Sequence, residues 1–287
     1  MSTDIQIAFC GSAGDGTIAV GDIFRQAMAG AGYKVIAFDV YPPEIRGFGK
    51  CISRVRVTTE QVYSLKEESD VLVSLNDGHA IPHVGEVRDY GAVIYDDAPI
   101  AILAEGAHIS GHIRPGQLPY SLPMREISEK TTSSNKSRNI AALGFVAGLY
   151  GFSDQPFRDM ISKKFASKAK AITTTNLAAF DSAYELGRNT FQVDFISIDA
   201  PKKGSTKTEV VMMTGNAAVV RGCLDAGIKA YFGYPITPAT SIMERLAVEM
   251  PKRGGVVLQT EDEIAAISAT IGAGYTGSRS ATATSGP

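Results

Sequence analysis

Three acids in a row, Glu261-Asp262-Glu263, stand directly ahead of Ile264-Ala-Ala-Ile-Ser-Ala-Thr-Ile-Gly-Ala-Gly, a stretch of apolar and small residues. Carboxylates in the first turn of a helix favour its dipole, which accounts for all three without any ligand. The Ala/Gly-rich continuation, however, predicts a helix buried on nearly all faces. A carboxylate at the mouth of such a dry interior is costly unless a specific partner meets it, and a ligand ring nitrogen is one such partner. Upstream, Gly233-Tyr234-Pro235-Ile236-Thr237-Pro238 brackets Ile-Thr with two prolines at a strand end. This holds the Thr237 hydroxyl on a rigid turn; equally, Thr237 is an N-cap neighbour and Pro238 an N1 proline.

Two further loops have the chemistry for anions. Gly11-Ser-Ala-Gly14-Asp15-Gly16-Thr17 lies between a strand and a helix, where backbone amides face a phosphate or another anion. It is GxxGxG, not the dinucleotide GxGxxG, no P-loop lysine follows, and Asp15 repels an anion unless it turns away. A tight turn and an anion cradle therefore both remain open. Tyr41-Pro-Pro-Glu44-Ile45-Arg46-Gly47-Phe48-Gly49-Lys50 is a stiff loop after the second strand. Glu44 with Arg46 reads as a structural ion pair, and Arg46 with Lys50 as anion contacts. The pairs His79/His83 and His108/His112 have i,i+4 spacing, but Pro82, Gly111 and Pro115 disfavour a helix to present them, so they read as surface or turn histidines and no metal site is expected.

The elements that position these residues are those of an α/β protein. Asp4–Cys10 is a buried strand, 17–29 a helix and Lys34–Val40 a second strand, giving a βαβ unit with the two strands parallel. Val71–Leu75 and Ala92–Asp96 add strands, and helical patterns begin near Arg138, Asp154 and Asn176. Residues 1–191 thus form an open, mostly parallel, Rossmann-like sheet. Residues 192–208 are a linker, with three lysines, a proline and a glycine in DAPKKGSTKT at 199–208. From 209 to 287 the pattern restarts: strand Glu209–Met213, helix Asn216–Ala226, strand Lys229–Gly233, helix Ala239–Met250, strand Val256–Gln259, helix Glu261–Tyr275 and strand Arg279–Thr284. About 80 residues make an α/β sheet with one face uncovered, so this second domain reads as incomplete.

The 287 residues carry Lys+Arg 28 against Asp+Glu 30, a net charge of −2, which gives no general pull toward nucleic acid or anionic membrane. No apolar run approaches the roughly 18 residues of a spanning helix, and MSTDIQ is not a signal peptide, so a cytoplasmic location is expected. Three distant cysteines, Cys10, Cys51 and Cys223, cannot by themselves ligate a four-cysteine cluster.

Taken together, Gly11–Thr17, Pro42–Cys51 (PPEIRGFGKC), Asn139 with Leu143-Gly144, Asn176, Phe180, Gly215-Asn216, Gly233–Thr240 (GYPITPAT) and Thr260–Pro287 (TEDEIAAISATIGAGYTGSRSATATSGP) resemble the 2-oxoacid:ferredoxin oxidoreductases. The first domain is similar to the family's gamma subunit, the second to the start of its alpha subunit, a thiamine-diphosphate pyrimidine-binding domain. The resemblance implies oxidative decarboxylation of a 2-oxoacid with coenzyme A, giving acyl-CoA, carbon dioxide and reduced ferredoxin. It implies 2-oxoglutarate as substrate ahead of pyruvate and branched-chain or aryl 2-oxoacids. Glu263 falls on the family's cofactor glutamate, which meets the pyrimidine N1′ of thiamine diphosphate. Thr237 matches the threonine placed beside the reacting 2-oxoacid, with Tyr234, Pro235 and Ile236 lining the cofactor. Gly14, Asp15, Gly16, Arg46 and Lys50 become the candidates for coenzyme A. A beta subunit is implied as the partner that holds Mg²⁺ and a [4Fe-4S] cluster and meets ferredoxin, in a dimer of alpha–beta units. In the family the alpha part continues well past SGP, so this chain alone is expected to be inactive. A non-catalytic nucleotide- or CoA-binding module is the alternative.

Overall fold

The computed structural model describes residues 3–40, 49–98, 108–132, 135–190 and 211–284, which fall into two units, 1–207 and 208–287. In the first, β1 (Asp4–Ser12) is buried from Ile5 onward, as its unbroken apolar run requires of a central strand. α1 (Thr17–Gly30) follows, with Val20, Ile23, Phe24, Ala27 and Met28 at helical spacing on its buried side. β2 (Lys34–Val40), β3 (Lys50–Thr58), β4 (Ser69–Ser74), β5 (Val87–Asp96) and β6 (Leu118–Leu122) complete a six-stranded sheet of order β2-β3-β1-β4-β5-β6.

The expected βαβ unit is only partly realised. β1 and β2 do run parallel, but β3 inserts between them and is antiparallel to both, with Ile5 opposite Val57 and Val35 opposite Val57. An antiparallel neighbour needs only a short return, and the strand after β2 makes one. Its outward arginines are held at both ends: Arg56 grips Asp4 through two bonds of 2.8 and 2.9 Å, and Arg54 meets Glu86 at 2.5 Å. β4, β5 and β6 continue on the other side of β1 in parallel. β6 carries Pro119, tolerable because it is an edge strand.

One face of the sheet is covered by α1 together with α3 (Met124–Thr132), α4 (Arg138–Leu149), α5 (Gln155–Phe165) and α6 (Lys170–Thr190). Phe24 is the hub, with ring centroids 5.9 Å from Phe9, 5.8 Å from Phe152 and 5.9 Å from Phe157. Every residue of α4 is buried. That depth depends on glycine: a β-carbon at Gly144 or Gly148 would strike the Phe180 or Tyr184 carbonyl of α6, and one at Gly187 would strike the Phe145 carbonyl of α4. The patterns near Arg138 and Asp154 match α4 and α5, whereas α6 starts six residues before Asn176 because its polar first turns hid the periodicity. On the other face a smaller core of Cys10, Ile52, Leu72, Val84, Val93 and Ile109 lies under a short helix (Asp77–Ala80) and two 3₁₀ turns at 81–86 and 109–112.

In the second unit, β7 (Ala230–Gly233) is the middle of a parallel sheet of order β8-β7-β9, with β8 at Val256–Gln259 and β9 at Ser280–Ala281. α7 (Gly215–Asp225), α8 (Thr240–Glu249) and α9 (Glu263–Tyr275) alternate with these strands. Val220, Tyr231, Ile242, Met243, Leu246 and Met250 form its core. The strand expected at Glu209–Met213 is not found: 211–213 is exposed irregular chain, and 209–210 lie outside the described residues. The burial expected of α9 also fails. Ala266 is its one buried residue, and Ile264, Ile267, Ile271 and Tyr275 are exposed. An apolar composition licenses burial, but burial needs a covering layer, and nothing among residues 211–284 covers the outer face of α9. No described helix is long and apolar enough to cross a membrane.

One titrating group ties the sheet to a helix. Asp96, at the end of β5, accepts hydrogen bonds from the Arg125 N–H at the start of α3 (3.2 Å) and from the Ala98 N–H (3.3 Å). Burial, reinforced by neighbouring Asp97 and opposed by those bonds and by Arg138, raises it from 3.8 to about 6. Because the folded value lies above the unfolded one, ionisation of Asp96 opposes folding, and its contribution is lost as the pH rises through about 6. Asp96→Asn is therefore expected to gain thermal stability relative to the unsubstituted protein on going from pH 4.5 to pH 7.5. Melting curves at the two pH values check this, and an unchanged difference would refute it.

Candidate functional site

The candidate residues of the second unit gather at the C-terminal ends of its parallel strands, the edge where open α/β sheets bind ligands. The Thr260 N–H donates to the Gly233 carbonyl at 2.9 Å, which brings the end of β8 beside the end of β7. The 234–238 turn and the three acids 261–263 therefore leave the sheet from the same edge. Tyr234, Pro235 and Thr237 are exposed and Ile236 half-buried. The turn is held from two sides: the Thr240 N–H donates to the Ile236 carbonyl at 2.9 Å, and Asn216 Nδ2 donates to the Pro238 carbonyl at 2.8 Å. The Thr237–Pro238 peptide bond is cis.

The three acids are not equivalent. Asp262 is the N-cap of α9, accepting the Ala265 N–H at 2.6 Å. Glu261 is exposed and outside the helix, whereas Glu263 is the first helical residue and half-buried. No described residue hydrogen-bonds or ion-pairs with the carboxylate of Glu261 or of Glu263; of these two, Glu263 is the half-buried one on the helix, and so the better placed for a ligand N–H. A cleft of about 320 Å³ lies nearby, lined by Thr214, Asn216, Ala217, Ser241, Glu244 and Arg245. Neither Thr237 nor Glu263 lines it, and its position behind the turn makes it part of the support.

In the first unit the two candidate loops meet: the Ala13 N–H donates to the Gly49 carbonyl at 2.9 Å, and Lys50 pairs with Ser12 across β1 and β3. Gly14 and Gly16 have φ of 102° and 78°, a region that suits glycine, and a β-carbon on Gly14 would meet open space. Asp15 turns into its own loop. Its Oδ2 accepts the Ser12 N–H at 2.7 Å and its Oδ1 faces Arg138 Nη2 at 3.3 Å, so its charge is matched within the protein. Asn139 Nδ2 donates to the Gly16 carbonyl at 3.2 Å. α1 then starts from Gly16 with no side-chain acceptor for its first N–H groups. Arg46 and the rest of 41–48 lie outside the described residues.

Arg138 is the residue that sequence patterns missed. It is 8% exposed, burial pulls its guanidinium below the usual arginine range against the pull of Asp15 and Asp96, and its Nη1 has no hydrogen-bond partner among the described residues. Buried Thr17 Oγ1, at the start of α1, is likewise unpartnered. An orphaned buried donor costs about 1–3 kcal/mol, so two in the surroundings of one glycine loop fit a site completed by an acceptor. The only signal for this in the sequence is an arginine immediately before an otherwise apolar helix.

The remaining candidates divide differently. His83, expected as a surface or turn histidine, stands in the 81–86 turn but is buried, with Nδ1 2.8 Å from Glu86; burial pulls its pKa down and the Glu86 bond opposes that. No cluster of three potential metal ligands occurs among the described residues. All three cysteines are free, and burial pushes Cys10 up to about 12, which makes it an inert core thiol. Removing the partner of a buried charge is costly, so Asp15→Ala is expected to destabilise the first unit by about 3 kcal/mol. Asp15→Asn keeps an acceptor for Ser12 and should lose less. Urea unfolding measures both; equal losses would show that the acceptor for Ser12 adds nothing to the charge, and an undiminished stability of Asp15→Asn would show that the charge on Asp15 is irrelevant.

Comparison with known proteins gives a consistent picture. The family model described as pyruvate ferredoxin/flavodoxin oxidoreductase matches residues 6–186. A second, described as the thiamine-diphosphate-binding part of pyruvate flavodoxin/ferredoxin oxidoreductase, matches 221–287. The 2-oxoglutarate oxidoreductase subunit KorA of Mycobacterium tuberculosis is 27% identical over 99% of this chain and 47% of its own length. The 2-oxoglutarate synthase subunit KorA of Methanothermobacter thermautotrophicus is 51% identical over 80 residues, 28% of this chain and 21% of its own. Among solved structures, the 2-oxoglutarate:ferredoxin oxidoreductase of Magnetococcus marinus, with 2-oxoglutarate, coenzyme A and succinyl-CoA bound, superimposes with a TM-score of 0.86 at 33% identity, over 99% of this chain and 48% of that one. The chain thus spans about half the length of the full-length relatives it matches. With a family model covering well over half of its residues and a relative's fold followed along almost all of it, the chain belongs to the 2-oxoacid:ferredoxin oxidoreductase family.

Proposed function

We propose that this chain serves in a thiamine-diphosphate-dependent oxidoreductase that decarboxylates 2-oxoglutarate and passes the acyl group to coenzyme A and the electrons to ferredoxin. The observation that carries this reading is the half-buried Glu263 carboxylate at the start of α9, without a partner among the described residues and on the same sheet edge as Thr237. Such a carboxylate fits the pyrimidine of thiamine diphosphate, whose N1′ would bring the hydrogen-bond donor that Glu263 lacks among the described residues. When bound, the cofactor supplies the carbon nucleophile that adds to the 2-oxo group and the electron sink for loss of carbon dioxide. Glu263 would hold the proton shared with N1′, in a bond that a water-poor site strengthens. Thr237 would orient the 2-oxoacid by its hydroxyl, on a turn whose prolines limit the entropy lost on binding. Tyr234, Pro235 and Ile236 would line that approach.

Gly14, Gly16, Arg46 and Lys50, with Arg138 added, are proposed as contacts for coenzyme A, whose phosphates suit uncapped helix amides and a buried guanidinium. Asp15 belongs to this site as the partner that holds Arg138 in place. By resemblance to the family, Mg²⁺ and an iron–sulfur cluster are assigned to a beta subunit, which would also receive ferredoxin in a dimer of alpha–beta units. The choice of 2-oxoglutarate follows the substrate printed in the names of the relatives. The three free thiols suit a reducing cytoplasm.

The test uses the complete complex. Glu263→Gln is expected to lower exchange of the C2 proton on bound thiamine diphosphate by about 100-fold or more. Undiminished exchange would overturn the assignment of Glu263. Thr237→Val is expected to reduce 2-oxoglutarate turnover, followed anaerobically by viologen reduction, while leaving cofactor affinity within about twofold. An equal loss of cofactor affinity would reduce the turn to a structural role.

A further inference from the structure

The 235–238 turn is poor in hydrogen-bond donors, because Pro235 and Pro238 have no N–H. Its carbonyls must therefore be braced from outside. On the near side of Thr237, the Ile236 carbonyl takes the Thr240 N–H of α8 at 2.9 Å. On the far side, the Pro238 carbonyl takes Nδ2 of Asn216, the second residue of α7, at 2.8 Å. The same amide group donates its other hydrogen to Ser241 Oγ, also at 2.8 Å. Both of its hydrogens are thus directed at the segment that carries Thr237, and α7 is itself fixed there by Thr214, which caps the Ala217 N–H at 3.2 Å.

We propose that Asn216 is a positioning residue for Thr237: its amide clamps the Pro238 carbonyl and so sets where the Thr237 hydroxyl stands. The inference rests on the reading of Thr237 as the residue that orients the substrate. Misplacing a reacting or orienting group by about 1 Å costs on the order of 100-fold in rate, so a single bond far from the chemistry can matter this much. Asn216→Asp is the most direct variant. It has nearly the same shape, an acid in the first turn of α7 favours that helix, and a carboxylate has no hydrogen to give the Pro238 carbonyl.

The experiment measures 2-oxoglutarate turnover and cofactor affinity in the complete complex for Asn216→Asp, Thr237→Val and the double variant. The expected result is a roughly 10- to 100-fold fall in kcat/KM for Asn216→Asp with thiamine diphosphate affinity within about twofold. In the Thr237→Val background the same substitution should cost less than about threefold, because residues acting through one another are not additive. Multiplicative losses in the double variant, or a parallel loss of cofactor affinity, would overturn the proposal. If Asn216→Asp prevents assembly, Asn216→Gln keeps both donors one methylene further out, and its loss must again vanish beside Thr237→Val. Ser241→Ala removes the other acceptor and should leave turnover near normal; a loss matching that of Asn216→Asp would place the role of the amide on α8 and overturn the clamp. A harmful Thr237→Val beside a harmless Asn216→Asp refutes this inference alone, whereas a harmless Thr237→Val refutes the Thr237 reading and this inference with it.

Discussion

Backbone N–H groups at the start of a helix have no partner within that helix, and the way each start finds an acceptor organises the functional edges of both units. Asp262 meets this demand for α9, Thr214 for α7 and, from a neighbouring strand, Asp96 for α3. In the glycine loop Asp15 serves the Ser12 N–H. Each acid or hydroxyl so engaged is withdrawn from ligand chemistry, and those left over define the sites. Glu263 is left over beside Asp262, and the start of α1 beside Asp15. In both places an acidic run or glycine loop of ambiguous meaning resolves into one residue that holds the fold and a neighbour that remains available.

Core packing sets the second site from a distance. α4 sinks until each of its residues is buried, because Gly144, Gly148 and Gly187 let its backbone touch that of α6. That depth delivers Arg138 and Asn139, at its first turn, to Asp15 and the Gly16 carbonyl. A side chain in place of Gly144 or Gly148 would push α4 away from α6 and move the guanidinium with it. The glycine loop is therefore supported by the contact between α4 and α6. In the second unit the equivalent support is polar: Asn216 and the Thr240 N–H hold a proline-rich turn that has few donors of its own.

Much of the fold was legible in residue order. The buried run of β1, the helical spacing of Val20, Ile23, Phe24 and Ala27, and the strand–helix alternation after Lys229 all describe segments that sort themselves by local periodicity. The misses have physical causes. β6 hides behind Pro119 and α3 behind a mostly polar surface, so neither shows a clear period. α9 was expected to be enclosed because its residues are apolar, yet Ile264 and Tyr275 stand exposed, since composition does not supply the layer that would cover them. His83 does stand in a turn, as its surroundings suggest, but Glu86 three residues on gives it a partner that permits burial.

The sequence by itself determined the loops where chemistry can occur: glycines where the backbone needs positive φ, prolines that stiffen the turn at Thr237, and acids ahead of a helix. These depend on residues within a few positions of one another. Only the tertiary structure decided which of three neighbouring acids caps the helix, that β3 enters between β1 and β2, and that Arg138 reaches Asp15 from 123 residues away. Hydrogen bonds and ion pairs are short-ranged in space but indifferent to separation along the chain. Their partners are therefore chosen only when the whole sheet and its helices have packed.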